Sequence, residues 1–392
     1  MRRIFTLMGL AAALGAETLP TAVQQGFDHF YNLEYDQALT LFERAIAEEP
    51  SNPDRYNHLA QCLLFREMFL AGALESELVT GANPFLRRSR LTPPAEVEQR
   101  FLGAITKSLE VAQARLGSTR TDLRALYAAG VAYGLRGNWN FLVRKAYLDA
   151  LKDLTTSRKL CNEVVAKDPS FIDAKLVQGV HDYVVGSLPA YLKVLGFLAG
   201  FRGDKQAGIA TLEEVAARGR LNEVDAKILL GVVYRRERRP REAIPLLTAL
   251  ANRFPRNYLF LLEQSQMYAD AGDQAQALAA IDRVEELRRQ GVTGYGNLSA
   301  EKLAFSRGNI QFWYRDLDHA AENLSRAAAK AQSLDLHTGT MAWLRLGQTE
   351  DLRQRRQQAV QAYQQVLRLA PESDMAREAK RYLSSPYRRE KS

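Results

Sequence analysis

The order of large and small side chains in residues 340–371 constrains the fold more than any other stretch of the sequence. The order is carried by Trp343, Leu346, Gly347, Ala359, Tyr363 and Val366. Gly347 and Ala359 let two antiparallel helices approach closely, and the bulky side chains pack around the point where the helices cross. Pro371 then ends the second helix, because proline lacks an N–H donor and clashes with the preceding turn. One such pair cannot bury its apolar face alone, so further pairs are expected to stack on it.

This order resembles the tetratricopeptide repeat (TPR), a helical hairpin of about 34 residues with the pattern W-x2-L-G-x2-Y, A-x3-F and P. Similar spacing recurs around five other small residues, which are Gly26, Gly196, Gly231, Ser265 and Gly308. Repeated units in register favour a repeat array over a bundle of long helices, the alternative that similar periodicity would permit. The resemblance implies an all-α fold, a tetratricopeptide-repeat solenoid of helical hairpins wound as a right-handed superhelix.

A repeat array grows by adding units, so the 392 residues are expected to form one elongated domain. Hydrophobic residues make up 46% and charged residues 25% of the chain, which provides enough apolar material for a continuous core. Five segments are predicted along it: a signal peptide at 1–16, N-terminal TPR units at 17–80, a divergent helical segment with long helices at 81–189, C-terminal TPR units at 190–383, and a polar basic tail at 384–392.

The first residues have the layout of a secretory signal peptide. Arg2 and Arg3 precede an apolar run at 4–14, and the small residues Gly15 and Ala16 follow it. The run is too short to span a bilayer comfortably, which needs about 20 residues. The sequence therefore predicts export through a signal peptide to the periplasm or the envelope of a bacterium, with an uncleaved N-terminal anchor as the alternative.

No set of residues in the sequence matches a catalytic or metal-binding motif. The five histidines show no H-E-x-x-H or cysteine–histidine spacing, and no nucleophile, base and orienting residue can be assigned together. Cys62 and Cys161 are too few for a disulfide scaffold, and each lies in an apolar helical stretch, which favours two buried free thiols over a bridge. We expect no enzymatic activity, no metal and no cofactor.

A second resemblance lies in the middle of the chain. Its residues include the stretches Ser187-Leu188-Pro189, Leu195-Gly196-Phe197, Gly203-Asp204 and Arg253-Phe254-Pro255. These stretches are similar to sequences of a eukaryotic TPR family linked to the mitochondrial outer membrane and to clearance of lipid-droplet-associated inclusions. Because the matching residues are mostly structural, the resemblance implies a shared helical scaffold, while the secretory leader departs from an intracellular family.

Arginines cluster at the end of each predicted first helix or in the turn after it. We call this set the basic ridge: Arg66, Arg136, Arg202, Arg235, Arg236, Arg238, Arg239, Arg315, Arg353, Arg355 and Arg356. Equivalent turns of a solenoid lie along one edge, so the ridge is expected to face an anionic membrane or polysaccharide. The simpler alternative is that turns are exposed and tolerate arginine, and Glu34, Asp36 and Asp273 would interrupt the ridge. Nucleic acid is not expected, since aromatic and basic residues do not interleave.

The TPR resemblance implies that the first helix of each pair lines a concave groove. The residues that this places in the groove are mainly apolar, and we call them the groove set: Phe27, Phe30, Tyr31, Phe65, Tyr127, Val131, Val232, Phe312 and Trp313. Such a groove would bind an apolar segment, as in helix-in-groove recognition, and would not bind a C-terminal carboxylate. In the alternative interpretation the protein's own residues 190–201 or 95–116 fill it.

These features predict a non-catalytic scaffold for protein–protein interactions in the cell envelope or the secreted fraction. Its partner is expected to be a protein or peptide, without nucleic acid or a small-molecule cofactor. The alternative is an accessory subunit or enzyme for assembling envelope polysaccharide or lipid.

Overall fold

The computed structural model describes residues 21–74, 91–119, 121–188 and 202–389. Across these ranges it contains seventeen α-helices and no β-strand, which confirms the predicted all-α fold. The helices are α1 Thr21–Tyr31, α2 Tyr35–Glu48, α3 Pro53–Leu70, α4 Ala95–Ser118, α5 Leu123–Trp139, α6 Tyr147–Lys167, α7 Lys175–Gly186, α8 Lys205–Arg218, α9 Glu223–Arg236, α10 Pro240–Arg253, α11 Tyr258–Asp270, α12 Gln274–Arg289, α13 Ala300–Trp313, α14 Leu317–Ala329, α15 Leu336–Leu352, α16 Arg356–Leu369 and α17 Asp374–Ser384.

Helices that follow one another in the chain pack together throughout these ranges. They form eight hairpins, from α1 with α2 to α15 with α16, and α17 packs on α16. First helices of successive hairpins are also in contact: α3 contacts α5, and α13 contacts α15. This pattern of neighbour contacts is that of a helical-repeat solenoid, as predicted.

Helices cross closely where the sequence has a small residue. A Cβ atom at Gly347 of α15 would lie 2.5 Å from the Tyr363 ring of α16, and one at Gly26 of α1 would lie 2.6 Å from the Phe42 ring of α2. Ala359 is fully buried beside the first of these crossings. The predicted roles of the small and bulky residues are therefore confirmed at both crossings.

The turn between the two helices of a hairpin has a repeated backbone conformation. One residue adopts positive φ in five such turns, and these residues are Leu33, Arg238, Gly272, Arg315 and Gln354. The next residue precedes the second helix, and in three cases, Glu34, Asp273 and Asp316, it is acidic. An acidic side chain is favourable there because the N-terminus of a helix carries a partial positive charge.

Two of the hairpins span positions at which the sequence predicts a limit between segments. The second hairpin joins α3 to α4 and so crosses the limit at residue 80, while the fourth joins α7 to α8 and crosses the limit at residue 189. Long helices do occur between these limits, with 24 residues in α4 and 21 in α6. A π-helical turn, Asn140–Arg144, and a left-handed Lys145 separate α5 from α6.

Candidate interaction surfaces

The turn after α1 is bound to the turn between α10 and α11, more than two hundred residues later in the chain. Asn257 donates from Nδ2 to the Tyr31 carbonyl at 2.7 Å, and the Arg256 backbone N–H donates to Oδ1 of Asn32 at 2.9 Å. We call these contacts the N-terminal clasp. They join the first hairpin directly to hairpins in the middle of the solenoid.

Charge strengthens the clasp. The Arg256 guanidinium donates to Oε1 of Glu34 at 2.9 Å and to Oδ2 of Asp28 at 2.6 Å. Hydrogen bonding to Glu34 raises the pKa of Arg256 further above its ordinary value. His29 adds a contact of 2.6 Å from Nδ1 to Oε2 of Glu34. One arginine thus holds two carboxylates of the first hairpin.

Asp225, in the first turn of α9, lies behind the clasp. It accepts hydrogen bonds from the Tyr31 hydroxyl at 3.0 Å and from Nε2 of Gln61 at 3.4 Å. Desolvation raises the pKa of Asp225 to about 6. Burial, and then the charge of Asp225, raise the pKa of Tyr31 well above its ordinary value. A carboxyl group with two neutral donors therefore connects α1, α3 and α9.

The structure places most of the groove set inside the protein. Phe30, Tyr31, Tyr127 and Phe312 are buried, and Phe27, Phe65, Val131 and Val232 are partly buried. Only Trp313 is exposed, at 45%. The prediction of an open apolar groove is therefore wrong at the four buried residues. At Tyr31 the reason is the clasp, since the Tyr31 ring packs on Phe254 with centroids 5.0 Å apart.

Residues 95–116, one of the two segments considered for filling the groove, do not fill it. Residues 95–116 belong to α4, which packs between α3 and α5 as the second helix of its own hairpin. Residues 190–201 lie outside the described residues. At Tyr31 the groove is closed by the packing of the first hairpin on the middle of the solenoid.

An apolar face of α6 that the sequence did not predict is exposed. We call it the α6 face: Tyr147, Leu148, Leu151 and Leu154. Leu148 is 83% exposed, the highest value among the exposed large hydrophobic residues of the described chain. The spacing of i, i+1, i+4 and i+7 puts these side chains along one stripe. The sequence of α6 does contain a signal for this exposure. Beside the apolar stripe it carries a second stripe of small and polar residues, and that second stripe is the buried one.

Small residues explain why the leucines of α6 point outward. Gly130 and Gly134 of α5 face Cys161 and Ser157 of α6, where a Cβ atom would come within 3.0 Å of either side chain. Asp153 is buried in the same interface and accepts from the Arg136 guanidinium at 2.7 and 2.8 Å. Because this interface is narrow, small side chains and an ion pair fill most of it. Leu148 and Leu151 lie outside it, and Leu154 reaches it at Gly137, where a Cβ atom would lie 2.8 Å from the Leu154 side chain.

The short helix α7 leaves the α6 face open. Arg158 of α6 contacts His181 of α7, with 2.6 Å between the two nitrogens, which fixes how the helices align. With 21 residues α6 is about 31 Å long, whereas α7 with 12 residues is about 18 Å long. The N-terminal half of α6 therefore extends past the end of α7.

The C-terminal part of the predicted groove is covered by residues 385–389, which we call the C-terminal strap. The Tyr387 ring packs on Phe312 and Tyr382, with centroid distances of 6.1 and 5.2 Å. Its backbone N–H donates to Oδ2 of Asp351 at 2.8 Å. Five residues of the predicted polar basic tail thus fold back on the last hairpins.

The basic ridge is interrupted by carboxylates. Six of its arginines form ion pairs, which join Arg66 to Asp36, Arg136 to Asp153, Arg235 to Glu263, Arg239 to Glu242, Arg353 to Glu350 and Arg356 to Asp351. Arg202, Arg238, Arg315 and Arg355 are exposed, and Arg236 is partly buried. Asp273, one of the residues expected to interrupt the ridge, and Asp316 occupy the same turn position as Arg239 and Arg355. Binding to an anionic surface stays a prediction.

The described residues hold no group of three histidine, cysteine, aspartate or glutamate side chains that could bind a metal ion. Cys62 and Cys161 are buried free thiols, and desolvation raises the pKa of Cys161 to about 12. Burial lowers the pKa of His58 to about 3, so it stays neutral at physiological pH. In the same ranges no helix is both long and apolar enough to cross a membrane.

Comparison with known families decides the nature of the repeat. Tetratricopeptide-repeat models match residues 23–77, 228–291 and 341–373, which include α1 with α2, α9 with α10 and α15 with α16. The chain is a tetratricopeptide-repeat protein. TPR proteins typically bind protein partners and are generally non-catalytic scaffolds.

Solved TPR structures resemble the chain at low sequence identity. Yeast Tom70 is 11% identical, with 93% of this chain and 94% of that chain covered and a TM-score of 0.40. A TPR protein from Parabacteroides merdae is 13% identical, covering 82% and 97%, with a TM-score of 0.32. The C-terminal part of a TPR protein from Cytophaga hutchinsonii is 14% identical, covering 91% and 98%, with a TM-score of 0.36. Because each TM-score is below 0.5, the family assignment rests on the repeat models.

The chain matches none of the curated proteins. The resemblance of its middle to the eukaryotic family of the mitochondrial outer membrane and inclusion clearance therefore stays a prediction.

Proposed function

We propose that this TPR protein is a non-catalytic protein–protein interaction scaffold of the cell envelope or secreted fraction, and that it binds an apolar helix of a partner on the α6 face. Membership of the TPR family supports the scaffold role. The signal-peptide layout of residues 1–16 supports export. The observation that carries the binding site is the exposure of Leu148 and its three apolar neighbours on α6.

The α6 face has the size and chemistry of a helix-docking site. Tyr147 and Leu154 are seven residues apart, so the face is about 10 Å long and matches two turns of a partner helix. Asp149 and Lys152 are exposed on the same half of α6. Apolar anchors with a polar rim are typical of protein interfaces, in which the buried centre supplies most of the binding energy.

The experiment places a photo-crosslinking amino acid at Leu148 in the protein expressed in its own host. Leu336, which is 55% exposed on α15, is the matched control position. We expect Leu148 to crosslink to the apolar face of an amphipathic helix in a partner, mapped by mass spectrometry, while Leu336 does not. Leu148→Asp should abolish recovery of that partner, and Leu336→Asp should leave it unchanged.

Two outcomes would contradict the proposal. Crosslinks from Leu148 only to residues 189–201 of the same chain would show that the protein covers this face itself. Recovery of the chain with an intact Met1 in a cytoplasmic fraction would refute export.

The alternative function, an accessory subunit or enzyme for envelope polymers, calls for exposed aromatic residues in a line along a sugar chain. Among the large side chains in the described ranges, the exposed aromatic ones are Tyr147 and Trp313. They lie on different hairpins, α5 with α6 and α13 with α14, so this function gains no support from the exposed surface.

A further inference from the structure

Equivalent positions of two successive first helices meet beneath the C-terminal strap. Phe312 lies four residues after Gly308 in α13, and Asp351 lies four residues after Gly347 in α15. Arg345 of α15 stands over both aromatic rings at the end of α13, 4.5 Å from the Phe312 centroid and 4.8 Å from that of Trp313. The two helices thus form a shallow groove with aromatic, basic and acidic groups.

The strap contacts this groove through two of its side chains and one main-chain group. The Tyr387 ring lies against Phe312 and Tyr382, and its N–H donates to Asp351. Arg389 donates to the Trp313 carbonyl at 2.8 Å, and its guanidinium stands 5.1 Å over the Trp313 ring. Positions 385, 386 and 388 are exposed.

We propose that the strap is a self-ligand, and that the groove it occupies binds an extended segment of a protein partner with an aromatic residue followed two positions later by arginine or lysine. This groove is separate from the α6 face. The partner's segment and the strap compete for the same contacts, so binding requires the strap to leave.

Each feature of the motif corresponds to a fixed group in the groove. The Asp351 side chain is 1% exposed and is held by Arg356 at 3.0 Å and by the Tyr363 hydroxyl at 2.9 Å. Its Oδ2 can therefore accept a hydrogen bond from a main-chain N–H of the ligand, as it does from Tyr387. The Phe312 and Tyr382 rings form a slot for one aromatic ring. The face of the Trp313 ring attracts a cation. The ligand therefore needs a lysine or arginine two residues after its aromatic residue, as Arg389 follows Tyr387 in the strap.

The strap can be displaced because it is held at few points. Three of its five positions are exposed, and its advantage over a free peptide comes mainly from attachment to α17, which raises its effective concentration at the groove. Trp313 stays 45% exposed with the strap bound, which leaves additional surface for a longer partner segment.

The test compares the wild-type chain with the double variant Tyr387→Ala/Arg389→Ala in binding a fluorescein-labelled Ser-Pro-Tyr-Arg-Arg peptide, followed by anisotropy. We expect the variant to bind about tenfold more tightly, since its own strap no longer competes. Ser-Pro-Ala-Arg-Ala should bind neither protein, and adding Trp313→Ala to the double variant should abolish the binding of the tyrosine peptide.

Equal affinity of the two proteins for the tyrosine peptide, or no binding to either, would overturn the proposal. Circular dichroism checks that the double variant is folded. If it is not, Arg389→Ala alone replaces it, because this change leaves Tyr387 in place; a gain of about threefold is then expected, and no gain counts against the proposal.

Discussion

At the scale of single residues, the fold raises the pKa of the Asp225 carboxyl group. Its carboxyl group lies between Tyr31 and Gln61, which donate hydrogen bonds but carry no positive charge. Its pKa is about 6, against an ordinary 3.8, because desolvation disfavours the charged form. The folded protein therefore binds this proton more tightly than the unfolded chain does. The resulting stabilisation is fully present below about pH 4 and is lost as the pH rises to about 6.

Asp225→Asn should remove this pH dependence. At pH 7.5 the substitution is expected to raise the free energy of unfolding by about 3 kcal/mol, since the fold raises the pKa by about two units, each unit corresponds to about 1.4 kcal/mol, and the amide oxygen still accepts from Tyr31. The gain should shrink as the pH falls and approach zero at about pH 3, where the carboxyl group is largely protonated in both states. Urea unfolding followed by circular dichroism at the two pH values measures it. A variant less stable than wild type at pH 7.5 would show that the charged form is favoured in the fold.

At the scale of helices, the crossing of α15 and α16 depends on the absence of a side chain at Gly347. The Tyr363 ring that a Cβ atom would meet cannot move aside, because its hydroxyl bonds Asp351 at 2.9 Å and its ring packs on Tyr382 with centroids 5.5 Å apart. Tyr363 is fully buried. The close approach of the two helices thus depends on the missing side chain at Gly347 and on the fixed position of the Tyr363 ring.

Gly347→Ala should therefore destabilise the protein by about 2 kcal/mol, the usual cost of overpacking a core by one methyl group. Gly103→Ala is the matched control. Gly103 is exposed within α4, and a Cβ atom there would meet nothing within 4 Å. That change should stabilise the protein by about 0.5–1 kcal/mol, because alanine is the better helix former. Equal thermal midpoints for the two variants would show that the crossing has room for a methyl group.

The sequence predicts such crossings well because they are local. Gly347 and Tyr363 are sixteen residues apart, and one short pattern contains both sides of the contact. The partner of α3 was harder to predict, since α4 begins only at Ala95, beyond the assumed limit of the N-terminal units. Helical periodicity shows that each helix exists but not which one it pairs with across a long connection.

Exposure was the least predictable property of the helices. Phe312 and Trp313 are adjacent aromatic residues, yet Phe312 is buried under the strap and Trp313 is open. On α6, Leu148 and Leu151 face outward because Gly130 and Gly134 leave room only for small side chains between α5 and α6, whereas Leu154 lies partly against Gly137. An apolar pattern predicts a face that prefers to be covered, but the covering element is set by tertiary packing.

At the scale of the whole molecule, the N-terminal clasp changes how the repeats depend on one another. In an open solenoid each unit contacts its neighbours, so stability is approximately a sum of local terms and end units fray independently. Here Arg256 and Asn257 connect the first hairpin to the α10–α11 turn. We therefore expect the first hairpin to open together with the middle of the solenoid.

Substitution of Arg256 tests this long-range coupling. Arg256→Ala removes the contacts to Glu34 and Asp28, and the amide protons of α1 should then exchange at least about tenfold faster, because opening α1 no longer breaks a charged network worth more than 1 kcal/mol. Arg307→Ala is the control, since Arg307 also bonds two carboxylates, Asp282 and Glu285, but both lie on the neighbouring α12. It should accelerate exchange in α12 and α13 only. Unchanged exchange in α1 for Arg256→Ala, measured by hydrogen–deuterium exchange mass spectrometry, would show that the first hairpin is held by its neighbours alone.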